Sequence, residues 1–347
     1  MIAATGKDRL PIRVNGWAMV RVFALALCAG LLIAYTANGN ANSTETLRAQ
    51  YGALQHRLNN NSFKSPLTLD SRESAGGVTG EIYALVDYPF AKVGAALNSA
   101  GNWCDIMILH LNTKYCRAVN EGRMLNVSIG KKFDQPLDDA YRVNFSWRVA
   151  EQTAHYLQVN LHANEGPLST RDYRIALEAV ALESGQTFIH LSYAYAYGVV
   201  GRIAMQTYLG TIAANKVGFT AAGKHSNGQP VYIGGMRGLV ERNTMRYYLA
   251  IEAFLGALSA PPQGRMEKSL SDWFTAIERY PRQLHELERN EYLDMKRKEI
   301  LRQQARAPAT APCCYSDAQR KSTVLSLAPA TVTLRRSVTP ATVAATW

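Results

Sequence analysis

Between Tyr141 and Tyr197 the chain alternates apolar and polar residues with a period of two, four times over. Tyr141, Val143, Phe145, Trp147 and Val149 take the odd positions of the first run, with Arg142, Asn144, Ser146 and Arg148 between them. Leu157, Val159 and Leu161 then stand against Gln158, Asn160 and His162, and Tyr173, Ile175 and Leu177 against Arg174 and Glu178. Ile189, Leu191, Tyr193, Tyr195 and Tyr197 close the series against His190, Ser192 and alanines. Successive strand side chains point to opposite faces, so the pattern specifies half-buried antiparallel strands. The links Glu151-Gln152-Thr153, Ala163–Thr170 and Glu183-Ser184-Gly185 carry turn chemistry. The outcome is a meander with a single apolar face, and that face needs a cover.

The chain can supply one. Of 347 residues, 47% are hydrophobic and 19% charged, with a mean hydropathy of −0.16. This composition excludes a wholly disordered, collagen-like or polytopic membrane protein. The net charge of +11 is concentrated at the ends: residues 1–41 contribute +3 and residues 296–347 contribute +7, leaving +1 for residues 42–295. A nucleic-acid-binding domain carries its basic patch on folded structure, with aromatics interleaved. Nucleic acid is therefore not an expected partner.

Residues 1–41 read as an export signal. Arg13 and Arg21 precede the apolar run Val22–Ala37, which gives way to small and polar residues. Cleavage fits best after Ala41, and Met19 offers an alternative start. The competing reading is an uncleaved anchor, but the 16-residue run falls short of the roughly 20 residues a spanning helix needs. Leu27 is too large to precede a lipidated cysteine, which argues against a lipoprotein at Cys28. The expected destination is the periplasm or the medium of a bacterial cell. Thiols there meet an oxidising environment. Cys104 and Cys116 are candidates for a disulfide between a helix and a returning strand, with two buried free thiols as the equal alternative. Zinc is disfavoured, because the folded part offers no second cysteine pair and no neighbouring histidine pair. Cys313 and Cys314 carry no assignment.

Helical spacing at Leu47, Tyr51, Leu54 and Leu58 predicts a helix over Thr44–Asn61. Val78–Val86 reads as a strand, followed by short helices at 89–98 and Asn102–Leu111, then strands at Thr113–Ala118 and Met124–Ile129. Beyond the meander, helices are expected at Val199–Ala214 and Gly238–Leu258, with a ragged charged helical pattern over 266–304. Ala305–Trp347 is rich in Ala, Thr, Pro and Ser and reads as disordered. The organisation expected is a signal at 1–41, a helical lead-in at 42–77, a domain at 78–258, a helical extension at 259–304 and a tail at 305–347.

Strand, two short helices, six further strands and a helix, in that order, resemble the helix-grip fold of the START-like (SRPBCC) superfamily. The likeness covers about Val78–Ala214, extending to Leu258 if the gripping helix is Gly238–Leu258. It rests on segments such as Val78–Phe90 and Thr187–Tyr208, not on a diagnostic motif. It implies an α+β domain in which a curved antiparallel sheet of about seven strands wraps a C-terminal helix, leaving an apolar cavity. Members include lipid-transfer domains, plant allergen-type carriers and polyketide cyclases.

The expected function is non-catalytic binding of a hydrophobic small molecule or lipid. Phe145, Trp147, Tyr173, Tyr193, Tyr195 and Tyr197 are the candidate cavity residues, because amphipathic rings combine large buried area with a polar handle. Ordinary core packing is the plainer role for any one of them, but several buried hydroxyls together each need a partner. An enzyme of the polyketide-cyclase or hydrolase kind would instead use a few cavity tyrosines or acids for general acid–base work. An acid such as Glu81, Asp87 or Glu151 pointing into the pocket would favour it over simple binding. A structural or interaction protein would show a packed interior and an apolar patch on 238–300. His162 and His190 fall on the polar face and read as solvated, and His155 and His162 point to opposite faces. His110 ends a short helix, where a protonated ring suits the dipole. Gly234–Gly238 is either an anion-binding turn or a flexible lead-in, and Lys296–Arg306 reads as a solvated helix end able to touch an anionic membrane. No catalytic residue, metal ligand or cofactor motif is assigned.

Overall fold

The computed structural model describes residues 43–211 and 215–305. The expected export signal and the tail past Ala305 lie outside the described residues. Helix α1 spans 43–59. Strands β1 (Leu67–Glu73) and β2 (Gly77–Val86) follow, then helices α2 (Phe90–Leu97) and α3 (Ala100–Met107). Strands β3 (Thr113–Val119), β4 (Met124–Ile129), β5 (Tyr141–Gln152), β6 (Tyr156–Glu165), β7 (Thr170–Ala181) and β8 (Thr187–Tyr197) complete the sheet. It is antiparallel throughout, in the order β1-β2-β8-β7-β6-β5-β4-β3. Helix α4 (Val199–Gly210), a hairpin of the exposed β9 (Ala221–Lys224) and the half-buried β10 (Pro230–Tyr232), and helices α5 (Gly235–Ala257), α6 (Arg265–Ile277), α7 (Pro281–Leu284) and α8 (Arg289–Ala305) follow.

The sheet has eight strands. Its extra member, β1, falls in the segment expected as a helical lead-in and pairs with β2 from Leu67–Ala84 to Glu73–Val78. The alternation in Leu67–Glu73 is carried by Leu67 and Leu69 alone, too little to declare a strand.

The helix that lies on the concave face is α5, which packs against β1, β2 and β8. Close approach is built into β2: a Cβ on Gly80 would collide with the Thr244 side chain of α5. Helix α4 is short, and Val199, Val200 and Ile203 on it are exposed, so it caps one end of the sheet and does not fill it. The α+β architecture, with an antiparallel sheet gripping a long C-terminal helix, is helix-grip.

Helices α6 and α8 form a layer behind α5. Trp273 donates its indole N–H to the Arg246 carbonyl (3.1 Å) and stacks on Tyr292, whose hydroxyl donates to the Leu109 carbonyl (3.0 Å). Lys114, Lys296 and Glu299 are fully buried. Glu299 accepts from Lys114 (2.9 Å) and Lys296 (2.8 Å), and Lys296 also donates to the His110 and Thr113 carbonyls. The expected solvated helix end is thus corrected at Lys296. Its ammonium is tolerated inside because every proton has an acceptor.

The outer face of the sheet is also covered at one corner. Leu47, Leu54 and Leu58 of α1 form a second small core with Tyr156, Val180 and Phe188. Cys104 and Cys116 form a disulfide joining α3 to β3, with Cα atoms 5.1 Å apart.

Candidate functional site

One face of α5 and one end of the curved sheet leave space between them. Leu239, Arg242, Asn243, Arg246 and Tyr247, spaced three and four apart, form a single helical stripe along the space. Tyr193 and Tyr195 of β8 and Tyr173 of β7 face it from the sheet. His110, Asn112 and Thr113, Ile129 and Lys132, and Pro167, Leu168 and Met205 complete the walls. The cavity measures about 80 Å³.

Tyr173 is placed by its neighbours. A β-bulge between Arg171 and Arg174 turns it, and Gly166 makes room, since a Cβ there would run into the Tyr173 ring. Its hydroxyl lies 2.7 Å from Thr170 Oγ1. Its ring stacks on Tyr195 at 5.2 Å, Tyr193 lies 5.8 Å from Tyr195, and Tyr247 lies 5.4 Å from Tyr193. Burial pushes all four phenols above their ordinary value, Tyr247 to about 12. They are neutral donors and apolar surfaces, not bases.

Three of the six expected ligand residues therefore line the cavity: Tyr173, Tyr193 and Tyr195. The other three do not. Phe145 is buried in the main core, and Trp147 packs against it opposite Leu161. Tyr197 is engaged at the sheet's end, where its hydroxyl donates to Glu73 (3.1 Å). Alternation assigned all six to the correct face. The position of a hole along that face depends on where α5 crosses, which no strand pattern encodes.

The cavity is largely apolar, as expected, but it also carries charge. Its lining holds three cations, Lys132, Arg242 and Arg246, and no carboxylate among the described residues. Arg246, 2% exposed, donates to Glu286 (2.8 Å) and the Leu284 carbonyl (3.3 Å). Lys132 (2.8 Å) and Lys216 (3.1 Å) also meet Glu286. Burial would raise the Glu286 carboxyl, but these cations outweigh it and hold it at about 2. Lys132 is lowered to about 8 by its own burial. Arg242 donates to the Val217 carbonyl (3.2 Å). Its neighbour Glu241 accepts from the Phe219 and Thr220 amides and from the Ser71 and Thr220 hydroxyls, fixing the 217–220 loop on α5.

His110 is 5% exposed and stacks on Tyr247 at 5.1 Å. The Asn112 backbone N–H donates to its Nδ1 (3.2 Å), which leaves the ring proton on Nε2. Burial lowers its pKa well below the ordinary value; Arg246, Lys296 and Lys132 add to this and Asn243 opposes it weakly. The expected protonated, dipole-matched His110 is thus neutral. Three buried polar atoms of the lining have no partner: His110 Nε2, Arg246 Nε and the Tyr195 hydroxyl.

The acids expected of an enzyme lie elsewhere. Asp87 is exposed at the end of β2. Glu81 and Glu178 flank His190 on the outer face, at 3.6 and 2.8 Å. Tyr156, whose hydroxyl donates to Glu178 (2.5 Å), completes that network, with Glu151 nearby. The His190 ring stacks on Tyr83 at 4.2 Å. His190, expected to be solvated, is largely buried because β2 and β7 supply the flanking carboxylates and α1 covers this corner. Gly238, in the stretch weighed as an anion-binding turn, packs against the Gly218 backbone.

The cationic lining was legible in part. Arg242 and Arg246 stand one turn apart in a mostly apolar segment, a spacing that puts two charges on one face of an element expected to be buried.

No protein-family model and no curated protein matches this sequence. Solved structures with some likeness include norcoclaurine synthase from Thalictrum flavum, at 12% identity over 43% of this chain and 82% of that one, with a TM-score of 0.28. A point mutant of it in complex with a transition-state analogue matches over 43% and 89%, again at 12% and 0.28. A conserved protein from Geobacillus kaustophilus matches at 13% over 40% and 85%, with a TM-score of 0.26. The fold assignment rests on the strand order and the gripping helix, not on these likenesses.

Proposed function

We propose that this protein, a START-like one, binds a small organic molecule in the tyrosine-walled cavity and performs no chemistry on it. The observation that carries the reading is a hollow of about 80 Å³, walled by the buried Tyr193 and Tyr195 and the half-buried Tyr173 and Tyr247. Close packing is the rule in protein interiors, so retained space beside convergent polar groups marks a ligand site. The size revises the expected lipid. One water needs roughly 10–15 Å³ on this scale, so the cavity suits a molecule the size of a handful of waters, not paired acyl chains.

The cyclase-like alternative could use tyrosines or acids. Acids are not among the described lining residues, and burial keeps the lining tyrosines protonated, which favours binding over general base chemistry. The structural alternative relied on an apolar patch over 238–300. The exposed large hydrophobics among the described residues are instead Phe133, Val199, Val200, Ile203 and Leu301. Export remains part of the proposal, supported by the leader pattern and by the Cys104–Cys116 disulfide, which suits an oxidising compartment.

Saturation-transfer NMR against a set of small arenes and short-chain acids tests the reading. We expect contacts that disappear when Leu239→Trp fills the cavity while the thermal transition is kept. Binding unaffected by Leu239→Trp, or no binding across the set, defeats it.

A further inference from the structure

We infer that the cavity takes a small monocarboxylate, its charged end at Arg246 and His110 and its body, an aromatic ring or short chain, among the tyrosines. The inference rests on the small-ligand reading above and specifies the chemistry of that site.

Hydrogen-bond accounting points to an acceptor. Arg246 directs its terminal nitrogens at Glu286, Leu284 and Asn243, leaving Nε buried without a partner. His110 accepts at Nδ1 from Asn112, so the proton is on Nε2, the other unpartnered nitrogen. Two buried N–H donors in one lining call for a molecule that accepts, because each unmet donor costs about 1–3 kcal/mol. Tyr195, 4% exposed, offers a third buried polar atom without a partner.

Charge accounting points to an anion. Glu286 is the carboxylate in contact with Arg246, Lys132 and Lys216, three cations against one anion. One added negative charge reduces this excess. A dianion such as phosphate would lose far more hydration on entering so small a space. Two oxygens in a plane match two N–H donors, as carboxylates do elsewhere. The remaining walls, Tyr173, Tyr193, Tyr247, Leu239 and Met205, are surfaces for a ring or short chain.

Calorimetric titration of the full chain with benzoate, benzamide, toluene and inorganic phosphate tests this. Benzoate should bind at least tenfold more tightly than benzamide or toluene, and phosphate should not compete. His110→Phe keeps the ring on Tyr247 and removes the Nε2 proton, so it should erase most of the preference for benzoate while leaving toluene unchanged. Should that variant fail to fold, the comparison among probes on the unmodified protein decides alone. Benzamide or toluene equal to benzoate, or phosphate displacing it, overturns the carboxylate assignment and leaves the small-ligand reading standing. No binding by any probe overturns both.

Discussion

The sheet buries a histidine on each of its faces, and the two are charged in opposite ways. On the outer face His190 sits between Glu178 and Glu81. Burial alone would lower it, but those carboxylates raise it above the ordinary histidine value. On the inner side His110 meets no carboxylate, and burial and the nearby cations leave it neutral. On the outer face Tyr156 donates to Glu178, which pairs with His190, and His190 Nε2 lies 3.6 Å from Glu81. In the inner cluster three cations share one carboxylate, Glu286, and two buried N–H groups have no acceptor. The outer cluster matches its histidine with carboxylates, whereas the inner one sets three cations against a single carboxylate, which leaves room for an added anion.

Removing the anchor of the inner cluster should have the largest effect. Glu286→Ala leaves Arg246 and Lys132 without their counter-ion, and we expect a loss of about 3–5 kcal/mol in urea unfolding. The inner side also depends on the disulfide. Replacing Cys104 and Cys116 together by serine should cost about 3 kcal/mol in the same assay, from the restored freedom of the unfolded loop. It should leave the His190 network untouched, as read from the histidine's NMR titration.

The pH dependences should run in opposite directions. His190 is raised in the folded state, so its stabilisation is complete below the unfolded value near 6.5 and is lost as pH rises through the folded value. His110 is lowered, so its contribution is complete above 6.5 and is lost as pH falls toward the folded value. Comparing His190→Gln and His110→Phe with the parent across pH 5–8 should give difference curves of opposite slope, each at most about 1.4 kcal/mol per pH unit. Slopes of the same sign would break the comparison. The smallest effect is Tyr156→Phe, which removes one bond to Glu178 at a cost of about 1 kcal/mol and, by leaving that carboxylate a stronger acceptor for the imidazolium, should raise the His190 titration midpoint slightly.

Much of this was legible along the chain. Alternation in Tyr141–Tyr197 placed every odd-numbered aromatic on the concave face, and the element order led to the helix-grip fold. The edge strand β1 was not legible, because Leu67–Glu73 has only two apolar residues in alternation. Nor was the buried Lys296, since a lysine in a charged helix reads as solvated until Lys114, Glu299 and two carbonyls surround it. Among six candidate aromatics, three line the cavity and three do not, although all obey the same pattern.

The sequence by itself determined the strands of the Tyr141–Tyr197 meander, their facing and the need for a helix against them, because side-chain direction in a strand depends only on local parity. Only the tertiary structure decided that the hollow is small, tyrosine-walled and positively lined, and that one buried histidine is neutral. Those properties depend on distances between residues far apart in the chain, and Coulomb energy, desolvation and empty volume are all set by such distances.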